Sequence, residues 1–292
     1  YVLLMLRCHD MLILVCYRTL ARGFAQALCS HRSRAAPSIF TFRTSIRCRA
    51  HLSQPAVKQA SMRRALTLAA PRLTLAMRRM STASTIAHAK HCLRTADAVC
   101  FDFDSTLIGE EGIDVLAEHC GAGAEVAAWT TKAMDGGVKF EDAIAARLDL
   151  IKPSKNDVAE CLRRHPPPIT PGAAELCAAL AERSTAVYVV SGGFRAMIEA
   201  TALEAFGVPK ERIFANTILW DASGEYSGFD ASEPTSRDGG KPAVIAKLKE
   251  EGAQTVVMVG DGATDAQAKP PADAFVGFGG VVARDAVVAK AD

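Results

Sequence analysis

The clearest indication of the fold is the sequence Ala98-Val99-Cys100-Phe101-Asp102. A short apolar run ends there directly in an acid. Two later runs repeat this arrangement: residues 186–190 are followed by Ser191, and residues 255–259 are followed after one glycine by Asp261. Continuous apolar runs of this length are typical of strands buried on both faces of a parallel sheet. Ligands of open α/β sheets bind outside the carboxyl ends of the strands, so the polar residues that follow these runs are expected to converge.

Helical periodicity alternates with these runs and predicts an α/β fold with a Rossmann-like parallel sheet core. A long insertion after the first strand, residues 112–168, predicts a small helical cap, and residues 96–111 and 169–292 then form the core. The predicted cap helices are Ile113–His119, Glu125–Met134, Phe140–Leu150 and Asn156–Arg164. The later predicted elements are a helix at Pro171–Glu182, a helix after Gly193, a strand at Arg212–Ala215 and a hairpin of Ile218–Trp220 with Glu225–Tyr226.

Residues 1–90 differ from the rest of the chain in charge. They carry 15 Lys and Arg against one acid, Asp10, whereas the remaining residues carry 19 Lys and Arg against 31 acids. A basic field confined to one end of an acidic chain argues against a nucleic-acid partner. The segment is rich in Arg, Ser, Thr and Ala, which is typical of a transit peptide. We therefore expect a disordered leader over 1–90, directed to a plastid in preference to a mitochondrion, and a folded domain over 91–292.

Apolar stretches and cysteines exclude further classes. Residues 1–6 and 11–17 are apolar but are separated by Arg7, His9 and Asp10, so neither reaches the roughly 20 apolar residues of a membrane span. No Cys-x-x-Cys pair occurs among the nine cysteines, which favours a reducing compartment without structural zinc. Cys100 and Cys177 lie in apolar runs and are expected in the core.

The motif Asp102-Phe103-Asp104-Ser105-Thr106 places two carboxylates, one residue apart, at a strand end. Such a pair can divide the work of phosphoryl transfer. The first carboxylate can act as nucleophile or Mg²⁺ ligand, and the second as general acid and base. The same pattern also fits an exposed turn or a helix cap at Ser105.

Three further motifs add phosphate and metal chemistry. Residues 260–265, Gly-Asp-Gly-Ala-Thr-Asp, place two acids four positions apart, where they can approach one cation or form a plain strand-to-helix turn. Ser191-Gly192-Gly193 can hold a phosphate through its hydroxyl and the following amides. Gly239-Gly240-Lys241 can offer an ammonium to that phosphate. Each motif is common by itself, and their order along the chain gives them weight together.

That order resembles the haloacid dehalogenase-type phosphatases, and further runs resemble the phosphoserine phosphatases among them. These runs are Glu110–Asp114, Ala133–Gly136, Phe140 with Arg147, Val190–Phe194, Phe214–Asn216, Gly224–Tyr226, Pro270–Ala274 and Gly277–Gly280. The resemblance covers residues 97–292 and implies Mg²⁺-dependent hydrolysis of O-phospho-L-serine through an aspartyl-phosphate, the last step of serine biosynthesis. The alternatives are phosphotransfer to another small alcohol and, more remotely, a receiver-type module that accepts phosphate.

The resemblance also implies roles for single residues. Asp102 would attack phosphorus, and Asp104 would protonate the leaving oxygen and later activate water. The Mg²⁺ ligands would be Asp102, the main-chain carbonyl of Asp104, Asp261 and Asp265. The substrate would be bound by Glu111, Met134, Gly136, Arg147, Ser191, Gly192, Lys241 and Thr264. Among these, Glu111 would meet the substrate ammonium and Arg147 its carboxylate.

Without the family pattern, Glu111 fits a first-turn helix acid and Arg147 fits a surface partner of Glu141 or Asp142. Asp135 is expected to face solvent, and His119 and His165 are expected to be structural. The family continues beyond Gly279-Gly280 with a strand and a helix, so we expect the sequence to be a fragment. The expected partner is the small-molecule substrate, without nucleic acid or membrane, and the expected state is a monomer or homodimer.

Overall fold

A computed structural model describes residues 84–134 and 138–292, with only the backbone given for 130–134. It also describes the backbone of two paired strands, β1 (Val2–Cys8) and β2 (Met11–Tyr17). These strands lie within the segment 1–90, which we expected to be disordered, and each apolar run is long enough to form a strand. The rest of the predicted leader up to residue 83 lies outside the described residues.

The predicted helices and strands are present with ends within three residues of the prediction, except that the strand predicted at 186–190 continues four residues further to Phe194. The helices at 84–95, 240–250, 263–267 and 285–288 and the strand at 274–277 were not predicted. The helices are α1 (residues 84–95), α2 (Gly112–His119), α3 (Gly123–Met134), α4 (Phe140–Ile151), α5 (Lys155–Arg164), α6 (Ala173–Glu182), α7 (Arg195–Phe206), α8 (Gly240–Glu250), α9 (Ala263–Gln267) and α10 (Asp285–Val288). The remaining strands are β3 (Ala98–Phe101), β4 (Ala186–Phe194), β5 (Ile213–Asn216), β6 (Ile218–Trp220), β7 (Tyr226–Phe229), β8 (Val256–Gly260) and β9 (Ala274–Gly277). In the described part of the chain, no helix combines the length and the apolar character needed to cross a membrane.

Five parallel strands form the central sheet, in the order β5-β4-β3-β8-β9. The predicted α/β fold with a parallel sheet is therefore confirmed. The register sets Phe101 of β3 opposite Val189 of β4 and Val259 of β8. Since β3 lies between β4 and β8, the three polar segments that follow these strands leave the sheet side by side.

Alternate residues of β3 face two separate apolar layers. Val99 and Phe101 pack in a cluster with α1, α6 and α7, whereas Ala98 and Cys100 pack in a second cluster with α8 and α9. The predicted core positions of Cys100 and Cys177 are confirmed, since both are fully buried. Helix α1 contributes Ala89 to the first cluster, so the packed chain begins slightly before residue 91.

A third apolar cluster lies in the cap, where α2 to α5 pack together around Leu116 and Leu148. The hairpin β6–β7 joins this cluster through Ile218 and Trp220. Trp220 Nε1 also donates to the Pro153 carbonyl at 2.9 Å. Sequence reasoning found the hairpin but not its partner, because this packing joins segments more than 60 residues apart.

Candidate active site

The chain turns sharply after β3 at Phe103–Leu107, where Asp104 has an extended backbone and Ser105 a left-handed one. Asp102 caps this turn, because its Oδ1 accepts a hydrogen bond from the Phe103 amide at 2.7 Å. Ser105 has a positive φ of 53°, and its hydroxyl donates to Glu111 Oε1 at 2.7 Å. The turn therefore connects the acids after β3 directly with Glu111, the acid that precedes the first cap helix.

Lys241 lies buried between two carboxylates. Its Nζ is 2.8 Å from Asp102 Oδ2 and 2.5 Å from Asp265 Oδ1. Burial by itself lowers the pKa of Lys241, but the two carboxylates outweigh burial and raise the pKa above its ordinary value. Lys241 is therefore a fixed buried cation next to Asp102.

Three acids come together at the ends of β3 and β8. One carboxylate oxygen each of Asp102, Asp261 and Asp265 lies within 4.8 Å of the other two. Asp265 is fully buried, and burial together with the Asp102 charge raises its pKa to about 7. Thr106 Oγ1 donates to Asp261 Oδ1 at 3.0 Å. A buried group of carboxylate oxygens suits a hard divalent cation such as Mg²⁺, which also relieves their mutual repulsion.

The glycines around Asp261 allow Asp265 to reach this cluster. A Cβ at position 260 would lie 2.2 Å from Cγ of Asp265, so a larger residue there would displace that carboxylate. The Gly262 amide donates to Asp265 Oδ2 at 2.8 Å. The spacing of the Gly-Asp-Gly motif thus follows from a close approach of backbone and side chain.

Asp104 lies in a different environment from the three clustered acids. Its Oδ1 accepts a hydrogen bond from the Gly112 amide at 2.9 Å. Burial, followed by the charges of Glu111 and Asp102, raises the pKa of Asp104 to about 8. A Cβ at position 193 would lie 2.6 Å from Asp104 Oδ2, so Gly193 makes room for this carboxyl. At neutral pH Asp104 holds a proton that it can give to a leaving group.

Ser191 and Gly192 follow the regular part of β4 at the same edge of the sheet. Ser191 is fully buried, and its Oγ accepts a hydrogen bond from the Gly193 amide at 2.9 Å. Gly192 lies in a cleft with Lys241, Thr264 and the cap residue Phe140. The structure therefore brings the predicted phosphate-binding residues of three separate motifs to one cleft.

Glu111, directly before α2, and Arg147 of α4 are the residues predicted to bind the ammonium and the carboxylate of the substrate. Burial raises the pKa of Glu111. Arg147 Nε donates to the Ala143 carbonyl of its own helix at 3.1 Å. Burial lowers the pKa of Arg147, while the charges of Asp114, Glu111 and Asp104 act in the opposite direction. Arg147 thus lies among the acids near the site, and not beside Glu141 on the surface.

Several residues singled out in the sequence lie away from the site or outside the residues that the structure describes. Met134 ends α3, but its side chain is outside the described residues, as are Gly136 and Asp135. His119 and His165 were expected to be structural, and the structure shows a partner that the sequence did not indicate: their rings meet edge to face with centroids 5.9 Å apart. Both belong to the cap.

Sequence reasoning missed Arg284. Its Nη1 donates to the Asp261 main-chain carbonyl at 2.9 Å and forms an ion pair with the Asp261 carboxylate. Arg284 lies in the loop before α10, and no motif surrounds it. Arg284 and Asp261 are 23 positions apart in the chain, and only the fold brings them into contact.

Comparisons with known proteins agree with this geometry. Residues 96–270 match the haloacid dehalogenase-like hydrolases. The chloroplastic phosphoserine phosphatase of Arabidopsis thaliana is 50% identical over 202 residues, which are 68% of this chain and 68% of that protein. The phosphoserine phosphatase of Rattus norvegicus is 50% identical over 194 residues, which are 66% of this chain and 86% of that protein.

A solved structure described as a phospho-aspartyl intermediate analogue of phosphoserine phosphatase matches with a TM-score of 0.58 and 32% identity. The match covers 67% of this chain and 90% of that chain. The chain belongs to the phosphoserine phosphatases, within the haloacid dehalogenase-like hydrolase family.

Proposed function

We propose that this protein hydrolyses O-phospho-L-serine to L-serine and phosphate through an aspartyl-phosphate on Asp102. The observation that carries the proposal is the pair of strand-end acids with opposite properties. Asp102 lies 2.8 Å from the buried ammonium of Lys241, whereas burial and neighbouring charge raise the pKa of Asp104 to about 8. One acid is therefore prepared to attack and the other to donate a proton.

In the first step, an Oδ atom of Asp102 forms a bond to phosphorus while the bond between phosphorus and the serine oxygen breaks. Asp104 gives its proton to that oxygen, so serine leaves as a neutral alcohol. Lys241 and the Ser191–Gly192 segment hold the transferring oxygens, which gain charge during the step.

In the second step, Asp104 takes a proton from water, and the water oxygen attacks phosphorus. The bond from phosphorus to Asp102 breaks, which releases phosphate and restores both carboxyl groups. A receiver-type module needs neither this second acid nor a cap, so its chemistry fits the site less well.

The acid cluster of Asp102, Asp261 and Asp265, with the main-chain carbonyl of Asp104, would hold Mg²⁺. The all-oxygen donor set and the burial of Asp265 fit a hard divalent cation. When bound, Mg²⁺ screens the repulsion between the Asp102 carboxylate and the phosphate.

The cap supplies the choice of substrate in this proposal. L-Phosphoserine carries an ammonium and a carboxylate besides its phosphate, and the site offers an acid at the entrance to the cap and an arginine within it. Glu111 would accept the ammonium, and Arg147 would bind the carboxylate through two parallel hydrogen bonds. Both side chains are only half-exposed, and partial burial shifts the pKa of each, which favours this role over a solvated helix surface.

The test measures phosphate release from L-phosphoserine with Mg²⁺ and after its removal by a chelator. We expect turnover only with Mg²⁺, with serine as the other product. Turnover that is unchanged after chelation would contradict the role of the acid cluster. Product analysis with an added small alcohol separates hydrolysis from phosphotransfer, because transfer would yield a new phosphate ester.

Location in a plastid is part of the same proposal. It is supported by the basic segment 1–90 and by the chloroplastic relative from Arabidopsis thaliana. A fluorescent reporter fused behind residues 1–90 should enter plastids in plant cells. Accumulation in the cytosol or in mitochondria would contradict this location.

A further inference from the structure

Strand β4 departs from regular pairing where it carries the phosphate-binding residues. Val190 pairs with Phe214 of β5, and the next pair along is Phe194 with Asn216. Four steps along β4 therefore match two steps along β5, so the segment Ser191–Gly193 bulges out of the ladder. A bulge exposes amides to a ligand, but it also removes the ladder bonds that would hold those amides in place.

A side chain of β5 makes a bond that the ladder cannot provide. Asn216 Nδ2 donates to the Gly192 carbonyl at 2.8 Å. Asn216 Oδ1 in turn accepts a hydrogen bond from Thr235 Oγ1 at 3.0 Å. Both side chains are buried, with Asn216 0% and Thr235 2% exposed. The Gly192 carbonyl can only accept, so it selects the NH₂ group of Asn216, and the Thr235 hydroxyl holds the amide oxygen on the other side by donating to it.

Thr235 also lies against the other phosphate-binding segment. It belongs to the 3₁₀ turn Pro234–Ser236, which packs under the start of α8. A Cβ at position 240 would lie 2.1 Å from the Pro234 carbonyl oxygen and 2.9 Å from Cα of Thr235. The backbone on which Lys241 begins therefore rests directly on the turn that carries Thr235.

We propose that Asn216 and Thr235 are a positioning pair that sets the Ser191–Gly193 bulge at a fixed distance from Lys241. Thr235 also lines the cleft of Gly192 and Lys241, but its hydroxyl donates to Asn216, so the pair acts on the phosphate through these two segments. The pair joins two groups that approach the phosphate from different strands, so that both meet its oxygens at once. The inference rests on the proposed function, in which these groups hold the transferring phosphate.

Thr235→Val tests the pair, because valine keeps the shape of threonine and removes only the donor to Asn216 Oδ1. The first readout is the affinity of the full chain for inorganic phosphate in the presence of Mg²⁺, measured by titration calorimetry. We expect the dissociation constant to rise about 5- to 20-fold, as for a lost buried hydrogen bond. The value of kcat/KM should fall by a similar factor for L-phosphoserine and for p-nitrophenyl phosphate, since both share the phosphate.

Thr217→Val is the matched control. Thr217 follows Asn216 in the chain, and its Oγ1 donates to Glu233 Oε1 at 3.1 Å, so the same substitution also removes one hydrogen bond there. We expect the control to change phosphate affinity less than about twofold. Thr235→Ser should restore affinity, and Asn216→Asp, which loses the donor to Gly192, should lower it like Thr235→Val.

Equal phosphate affinity in Thr235→Val and Thr217→Val would overturn the proposal, even if both variants melt at lower temperature. The readouts also separate this inference from the proposed function. If the unmodified protein binds phosphate but does not hydrolyse L-phosphoserine, the proposed function fails, and phosphate affinity still decides the role of the pair.

Discussion

The edge of the core sheet and the helical cap hold their functional charges in different ways. In the core, Lys241 contacts two carboxylates at 2.5 and 2.8 Å, so its charge is paired before any substrate arrives. In the cap, Arg147 is half-buried with a hydrogen bond to its own helix, and nearby acids act on its charge. The buried network around Lys241 is preorganised for one reaction. The Arg147 cation, which forms no such network, can discriminate between ligands with and without a carboxylate. In the proposed function, the core therefore carries out phosphoryl transfer and the cap selects the substrate.

The largest effect is expected for Asp102→Asn in the core. An amide cannot form the aspartyl-phosphate, so phosphate release from every ester should fall to background, a loss of about 1000-fold or more. The measurement is steady-state phosphate release with Mg²⁺. Asp149→Asn, the same change at an exposed position of the cap helix α4, should leave turnover unchanged. Activity retained in Asp102→Asn would remove the proposed nucleophile.

Lys241→Met should reduce turnover of all phosphate esters. It keeps the apolar stem but removes the cation between Asp102 and Asp265, so we expect kcat/KM to fall roughly 100-fold or more for both L-phosphoserine and p-nitrophenyl phosphate. Lys247→Met on the same helix is the control, since the Lys247 side chain is 55% exposed. A loss confined to L-phosphoserine would place Lys241 in substrate choice and contradict the division between core and cap.

Arg147→Ala should be selective. Truncating one member of a desolvated charge pair costs roughly 2 to 5 kcal/mol, so L-phosphoserine should lose most of its kcat/KM. An ester without a carboxylate, such as p-nitrophenyl phosphate, should change little. Arg163→Ala in the neighbouring cap helix is the control, because its side chain is 68% exposed. Equal losses on both esters would show that Arg147 supports the site in general and would remove the cap from substrate choice.

The smallest effect concerns stability and the proton on Asp104. Its pKa in the folded protein is raised from 3.8 to about 8, so the folded state keeps a proton that the unfolded state has lost. The stability gained from this proton is lost as pH rises through about 8. With chelator present, the melting temperature should therefore fall between pH 6 and pH 9.

Asp104→Asn cannot titrate, so its melting temperature should fall less over the same range. We expect a difference of about 2–4 °C in this fall, measured by differential scanning fluorimetry. Asp265, whose pKa is raised to about 7, titrates in both proteins, so it contributes the same fall in melting temperature to both. Parallel curves for the two proteins would contradict the protonated state of Asp104.

Much of the fold was predictable, because the signals that define it are local. Each of these signals depends on residues close together in the chain. Examples are the apolar run before Asp102, the four helical patterns of the cap and the hairpin with its turn at Ser223-Gly224. The convergence of the acids, Ser191 and Lys241 was also predictable, since parallel strands bring their carboxyl ends to one edge of the sheet. The position of the hairpin on the cap was not predictable, because no residue near Trp220 in the sequence indicates that Trp220 contacts Pro153.

The sequence by itself determined which chemical groups meet at the sheet edge: two strand-end acids, a serine with glycines, a lysine and a second pair of acids. Only the tertiary structure decided how each group behaves. It raises the pKa of Asp104 by burial beside Glu111, pairs Arg284 with Asp261, and ties the Gly192 carbonyl to Asn216. Burial, charge proximity and hydrogen bonds between distant segments exist only after the chain has folded, so a linear pattern does not contain them.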